Sequence, residues 1–143
     1  FGLYDRVSLV ACDARLTPFK DRAVKTMTSN VGLSNIREPG TLLEELRRII
    51  DGRFLSICHF FDEEDEANAE AIRELRLESL YRSATMKAFT DAGWKVEAAN
   101  TVSARAEPTP RSTLLGAGID GLPVTETVLE FCVLVAEGCD ATN

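Results

Sequence analysis

Apolar positions recur along this chain in two rhythms, and their succession predicts an alternation of strands and helices. Residues 7–12, VSLVAC, are β-rich and almost continuously apolar, as in a strand covered on both faces. The mixed segment 15–40 holds one helix before turn signals at Gly32, Pro39 and Gly40. Over 41–52, Leu42, Leu43, Leu46, Ile49 and Ile50 form one apolar helical stripe, with a Thr41–Glu44 capping box and Gly52 as the C-terminal stop. A second strand, RFLSICHFF, follows at 53–61. Residues 66–94 then carry Leu77, Leu80, Tyr81, Ala84 and Ala88 at helical spacing, with a break expected near Ser79 or Ser83 and a stop at Gly93. A third strand is expected at 95–104, a Pro- and Gly-rich loop at 107–121, a short helix at 122–130 opened by Pro123, and a fourth strand at 131–136.

This order predicts a three-layer, Rossmann-like α/β fold: an open, mainly parallel sheet of about four strands with helices on both faces. With no internal repeat and no low-complexity tract, residues 1–143 read as a single domain.

Composition narrows the function. Against 16 Lys and Arg stand 23 Asp and Glu, and the net charge of -7 opposes non-specific attraction to phosphates, so any phosphate chemistry here needs a cation. No apolar run approaches the roughly 20 residues of a spanning helix, and Asp5 and Arg6 interrupt the plan of a signal peptide. The absent initiator Met suggests a processed chain or a fragment. Cys12, Cys58, Cys132 and Cys139 include no C-x-x-C pair; those inside apolar runs read as small buried hydrophobes, pointing to a reducing, cytoplasmic setting. His59, the only histidine, reads as a half-buried strand residue and leaves little for a zinc site or a Ser-His-Asp arrangement.

Three apolar strands end on acids: Asp13 after the first, Asp62 to Asp65 after the second, Glu137 and Asp140 after the fourth. In an open α/β sheet, ligands bind outside the carboxyl ends of the strands, so parallel strands would bring these carboxylates to one crevice. Asp120, in the loop GAGIDG, and Glu126, near the start of the short helix, would join them. Clustered carboxylates repel one another and a divalent cation relieves that repulsion; oxygen ligands suit Mg²⁺ or Mn²⁺, which can activate a water against a phosphodiester. The run DEEDE is better accounted for as a solvated helix start favoured by the helix dipole than as a ligand set.

Taken in order, SLVACDARL, RFLSICHFFDEED, MKAFTDAGWKVEAAN, GAGIDGLPVTETVLE and FCVLVAEGCD resemble the NYN branch of the PIN-like nuclease domains. That resemblance implies a metal-dependent ribonuclease hydrolysing RNA phosphodiesters, with Asp13, Asp120, Glu126 and Asp140 as the catalytic, metal-ligating acids. Among nearby cations, Arg105 and Arg111 are better placed than Arg53 and Lys95 to touch a backbone phosphate. The chain departs from the family pattern at Leu16, Ala136 and Gly138, which supports an alternative: a catalytically degenerate PIN-like domain serving as an interaction or assembly subunit. RNA is the expected substrate of the first reading. A protein partner or a second copy covering an open sheet edge is expected of the second, and a membrane of neither. A nucleotide-binding regulatory domain finds no support, because GAGIDG does not directly follow a strand or match a phosphate-cradling fingerprint.

Overall fold

The computed structural model describes residues 6–108 and 121–138. Within them lie four strands, β1 (Val24–Asn30), β2 (Ile50–Phe60), β3 (Trp94–Ala106) and β4 (Thr127–Gly138), and three helices, α1 (Gly40–Ile49), α2 (Glu66–Leu75) and α3 (Arg82–Asp91). The strands form one sheet in the order β1-β2-β4-β3. Among neighbouring strands only β1 and β2 pair in parallel, joined through α1; β4 runs antiparallel to both β2 and β3, so it alone opposes the other three. The chain is therefore α/β, but its sheet is mixed rather than mainly parallel.

The core forms where α1 and α3 pack on one face of this sheet. Leu42, Leu43, Leu46 and Ile49 of α1 are buried against Phe54, Cys58 and Phe60 of β2 and Leu134 of β4. Phe54, Phe89 and Trp94 pack with ring centroids 6.1–6.3 Å apart, the two phenyl rings stacked and Phe89 edge-on to Trp94, and the Trp94 indole N–H donates to the Leu43 carbonyl oxygen at 3.0 Å. A smaller cluster of Phe61, Ile72, Leu77, Leu80, Leu122 and Leu129 lies beyond the end of β2.

Several sequence expectations hold. The stripe of α1, the second and third strands, and the break in the 66–94 helix are all present; the break is a turn of 3-10 helix at Glu78–Leu80, after Arg76 enters the left-handed region at φ +55°.

Others need correction. Residues 7–12 form no strand: Val7, Leu9 and Val10 are 54%, 74% and 54% exposed, because strand-type hydrophobicity produces a strand only where a neighbour completes the ladder. The helix expected within 15–40 is instead β1, whose β-branched Val24, Thr26 and Thr28 suit an extended chain. Helix α1 begins at Gly40 with Pro39 as its N-cap and no side-chain cap, so the Thr41–Glu44 box is not used. Gly52 does not end a helix: it lies in β2, where a Cβ would overlap the Lys25 carbonyl oxygen of β1. No helix opens at Pro123. After a cis Leu122–Pro123 bond the chain runs irregularly to Thr127 and then extends as β4. Strand β4 is also not an edge, since β2 and β3 flank it; among the described residues the edges are β1 and β3.

Candidate functional site

The carboxyl ends of β1, β2 and β3 lie at one end of the sheet, since only β4 runs against them, and two turns shape those of β1 and β2. Where β1 ends, Val31 sits at φ +56°, an unfavourable region for a β-branched residue. Its N–H donates to the Ile57 carbonyl at 2.9 Å, and its own carbonyl accepts from Asn35 Nδ2 at 3.3 Å. This strained turn fixes how the chain leaves β1. Where β2 ends, the buried Phe61 donates its N–H to the Leu80 carbonyl at 2.9 Å. Asp62 then accepts the Glu64 N–H at 2.9 Å, and Asp65 caps α2.

Asp65 does more than cap. Its carboxylate accepts from Asn68 N at 3.2 Å, Asn68 Nδ2 at 2.7 Å and Thr127 Oγ1 at 2.6 Å. Fully buried Asn68 in turn accepts the Val124 N–H at 2.7 Å and donates to Thr125 Oγ1 at 3.3 Å. Burial works against the Asp65 charge, yet the bonds from Thr127 and Asn68 outweigh it and hold this carboxyl below the usual range. Together the two residues tie the approach to β4 onto the start of α2.

Beside this anchor opens a cleft of about 320 Å³, with Phe60 and Phe61 in its wall, Asp62 and Glu63 at its rim, and Arg82 paired to Glu130 at 2.7 Å across it. Ligand pockets start near this size, at roughly 300 Å³. A second cleft, of about 270 Å³, lies at the opposite end of the sheet and gathers Arg22, Arg47 and Arg53 with Asp51 and Glu137. There Arg22 pairs with Asp51, Arg53 with Glu137 at 2.7 Å, and the Arg47 guanidinium stacks 5.9 Å from the Trp94 ring centre.

The acids expected to converge are thereby separated. Because β4 is reversed, Glu137 lies opposite Arg53 at the amino end of β2, while Asp62 to Asp65 follow its carboxyl end. Asp13 is exposed and clasped by Arg15, whose Nη2 is 2.9 Å from Oδ2; the Arg15 hydrogen bonds bring its pKa down to about 2. Glu126, also exposed, pairs with Arg105 at 3.1 Å, so that arginine faces a carboxylate. Asp120, Asp140, Cys139 and Arg111 lie outside the described residues. Among the described residues no group of three or more His, Cys, Asp and Glu could hold a metal ion, and no helix is long and apolar enough to cross a membrane. His59 is half-buried between Phe61 and Phe131, and burial pushes its pKa down. The sequence reading missed Asn68 and Val31. The first left a signal, an Asp followed three residues later by Asn at a helix start; the second left only the Gly beside it.

No family model matches the chain, and no curated protein matches it in sequence. Solved structures do match in fold. The YcgJ protein from Bacillus subtilis aligns with a TM-score of 0.65 at 15% identity, over 90% of this chain and 69% of that one. Geranyl diphosphate C-methyltransferase from Streptomyces coelicolor A3(2), in complex with Mg²⁺, geranyl diphosphate and S-adenosyl-L-homocysteine, aligns at 0.54 and 18%, over 90% and 53%. The [4+2]-cyclase SpnF aligns at 0.61 and 15%, over 96% and 57%. This chain spans from 50% to 76% of the length of such neighbours. They share the fold of S-adenosylmethionine-dependent methyltransferases.

That likeness overturns the PIN-like reading in both its forms, nuclease and degenerate interaction subunit, since the neighbours are methyltransferase-like folds. The expected Mg²⁺ or Mn²⁺ site goes with it: no metal-holding group occurs among the described residues, and solved neighbours carry S-adenosyl ligands. The physical reason for the error is the direction of β4. The order of short apolar runs ending in acids is common to many open sheets, and sequence alone did not reveal which run is reversed.

Proposed function

We propose that this chain forms part of an S-adenosylmethionine-dependent methyl-transfer domain, with its ligand crevice at the carboxyl ends of β1 and β2. The observation that carries this reading is the likeness of 90–96% of the chain to structures of that fold, two of them described with S-adenosyl-L-homocysteine or S-adenosylmethionine. In open α/β sheets ligands lie outside the carboxyl ends of the strands, and here those ends carry the strained Asn30–Gly32 turn and the Phe61–Glu63 rim. The residues present suit such a ligand: Asp62 and Glu63 are exposed carboxylates able to accept from ribose hydroxyls or face a cationic amine. When bound, S-adenosylmethionine supplies an electrophilic methyl group on a sulfonium sulfur; the chain's own residues bind, orient and shield.

Calorimetric titration of S-adenosylmethionine and S-adenosyl-L-homocysteine into the protein tests the reading, alongside an Asp62→Asn/Glu63→Gln variant. Saturable binding that weakens at least several-fold in the variant is the expected result. A folded protein that binds neither compound at millimolar concentration would refute it.

A further inference from the structure

We infer that Cys58 and Cys132 form a cross-strand dithiol that oxidises to a disulfide tying β2 to β4. The two residues are directly opposite one another in the antiparallel β2–β4 ladder. Both are 2% exposed and both belong to the core face packed by α1 and α3. Opposed residues of antiparallel strands have Cα atoms roughly 4.5–5.5 Å apart, within the separation of about 4.4–6.8 Å that a disulfide spans. Their side chains leave the sheet on the same side, as a cross-strand disulfide requires. The Cys58 thiol now turns to the Ser56 hydroxyl, 3.4 Å away, and a rotation about its own Cα–Cβ bond redirects it. By contrast Cys12 is exposed, far along the chain from the ladder and outside any strand.

The oxidant is a small-molecule disulfide such as oxidised glutathione. One protein thiolate attacks a glutathione sulfur, giving a mixed disulfide and one glutathione thiolate. The second protein thiolate then attacks the protein-side sulfur of that mixed disulfide, expelling the other glutathione. Two protein thiols lose two protons and two electrons, and one glutathione disulfide becomes two glutathione thiols. Burial pushes both thiols up, Cys58 to about 11, so exchange in the closed sheet is slow and proceeds through opening of the β2–β4 pair. The closed loop contains α2, α3 and β3, and tying so long a segment restricts the unfolded chain. This inference does not depend on the methyl-transfer reading.

The test uses a Cys12→Ser/Cys139→Ser protein, which retains only this pair. It is equilibrated with glutathione redox buffers in urea just below its unfolding midpoint, so that opening is not limiting, and then returned to buffer. Thiol titration after denaturation should fall from two to none per chain at the oxidising end. The oxidised monomer should melt roughly 10 °C above the reduced form, and a further Cys58→Ser change should abolish that shift. Thiols that stay titratable, a disulfide that forms only between chains, or an intramolecular one that lowers the melting temperature would each overturn the inference.

Discussion

Removing the Asn68 side chain is the sharpest test of how the candidate crevice is held in shape. Asn68→Ala deletes the 2.7 Å bond to the Asp65 carboxylate, the 2.7 Å acceptor of the Val124 N–H and the 3.3 Å bond to Thr125. A hydrogen bond to a charged group contributes about 1.5–3 kcal/mol net and a neutral one about 0.5–1.5. The bond from the Val124 N–H is part-buried and neutral, and its loss is counted at the low end. The long contact to Thr125 counts for less still. The sum is about 3 kcal/mol, a large fraction of the roughly 5–15 kcal/mol that holds a domain folded. Urea denaturation measures the total, and hydrogen exchange at the Val124 amide shows whether the loss is local. A destabilisation under about 0.5 kcal/mol, or an unchanged Val124 exchange rate, would refute the assignment of Asn68 as the anchor. Asn68→Asp adds a sign test: it sets a second carboxyl against Asp65, and the pair resists full ionisation, so its pKa in the fold rises above the unfolded value. Such a shift stabilises the protonated form, and the penalty should be greatest near neutral pH and shrink on acidification.

Three further changes probe the scaffold away from this anchor. Gly52→Ala drives a methyl group into the Lys25 backbone carbonyl and should cost about 1–3 kcal/mol by forcing β1 and β2 apart, whereas Gly138→Ala meets only the movable Arg47 guanidinium and should cost under about 1 kcal/mol; equal losses in parallel denaturation curves would contradict the close approach. Hydrogen bonds from Arg48 and then Thr17 hold the Glu45 carboxyl down to about 2, against an ordinary 4.5. Its stabilising effect is therefore complete above about pH 4.5 and fades as pH falls toward about 2, so Glu45→Gln should flatten the melting-temperature profile across that window, and an unchanged slope would show that the contact is not maintained in solution.

How much of this was legible depended on whether a signal was local. The α1 stripe, the apolar run of β2 and the break near Ser79 or Ser83 are properties of neighbouring residues, and the sequence reading finds them. Strand β1 was missed because VKTMTSN sits among polar residues and only Val24 and Met27 pack on the core. Residues 7–12 misled in the opposite sense: they carry the hydrophobicity of a buried strand and remain exposed. Pairing partners are long-range, and no periodicity reports them. The site suffered most, since Asp65 was read as one of several solvated acids, and its role depends on Thr127, sixty-two positions away.

The direction of β4 decides where chemistry can occur. Were β4 parallel, its end would bring Glu137 to the crevice, and a carboxylate cluster would demand a cation. Reversed, it delivers Glu137 to Arg53 at the far end and places its own start, Thr127, against Asp65. The acid density at that end of the sheet falls to what the ends of β1, β2 and β3 supply, and Arg82 is already there, paired with Glu130. Asp62 and Glu63 then need no metal to coexist, because both are exposed to water of high dielectric, where like charges interact weakly. The same reversal sets Cys132 opposite Cys58, so one strand's direction governs both the crevice and the dithiol.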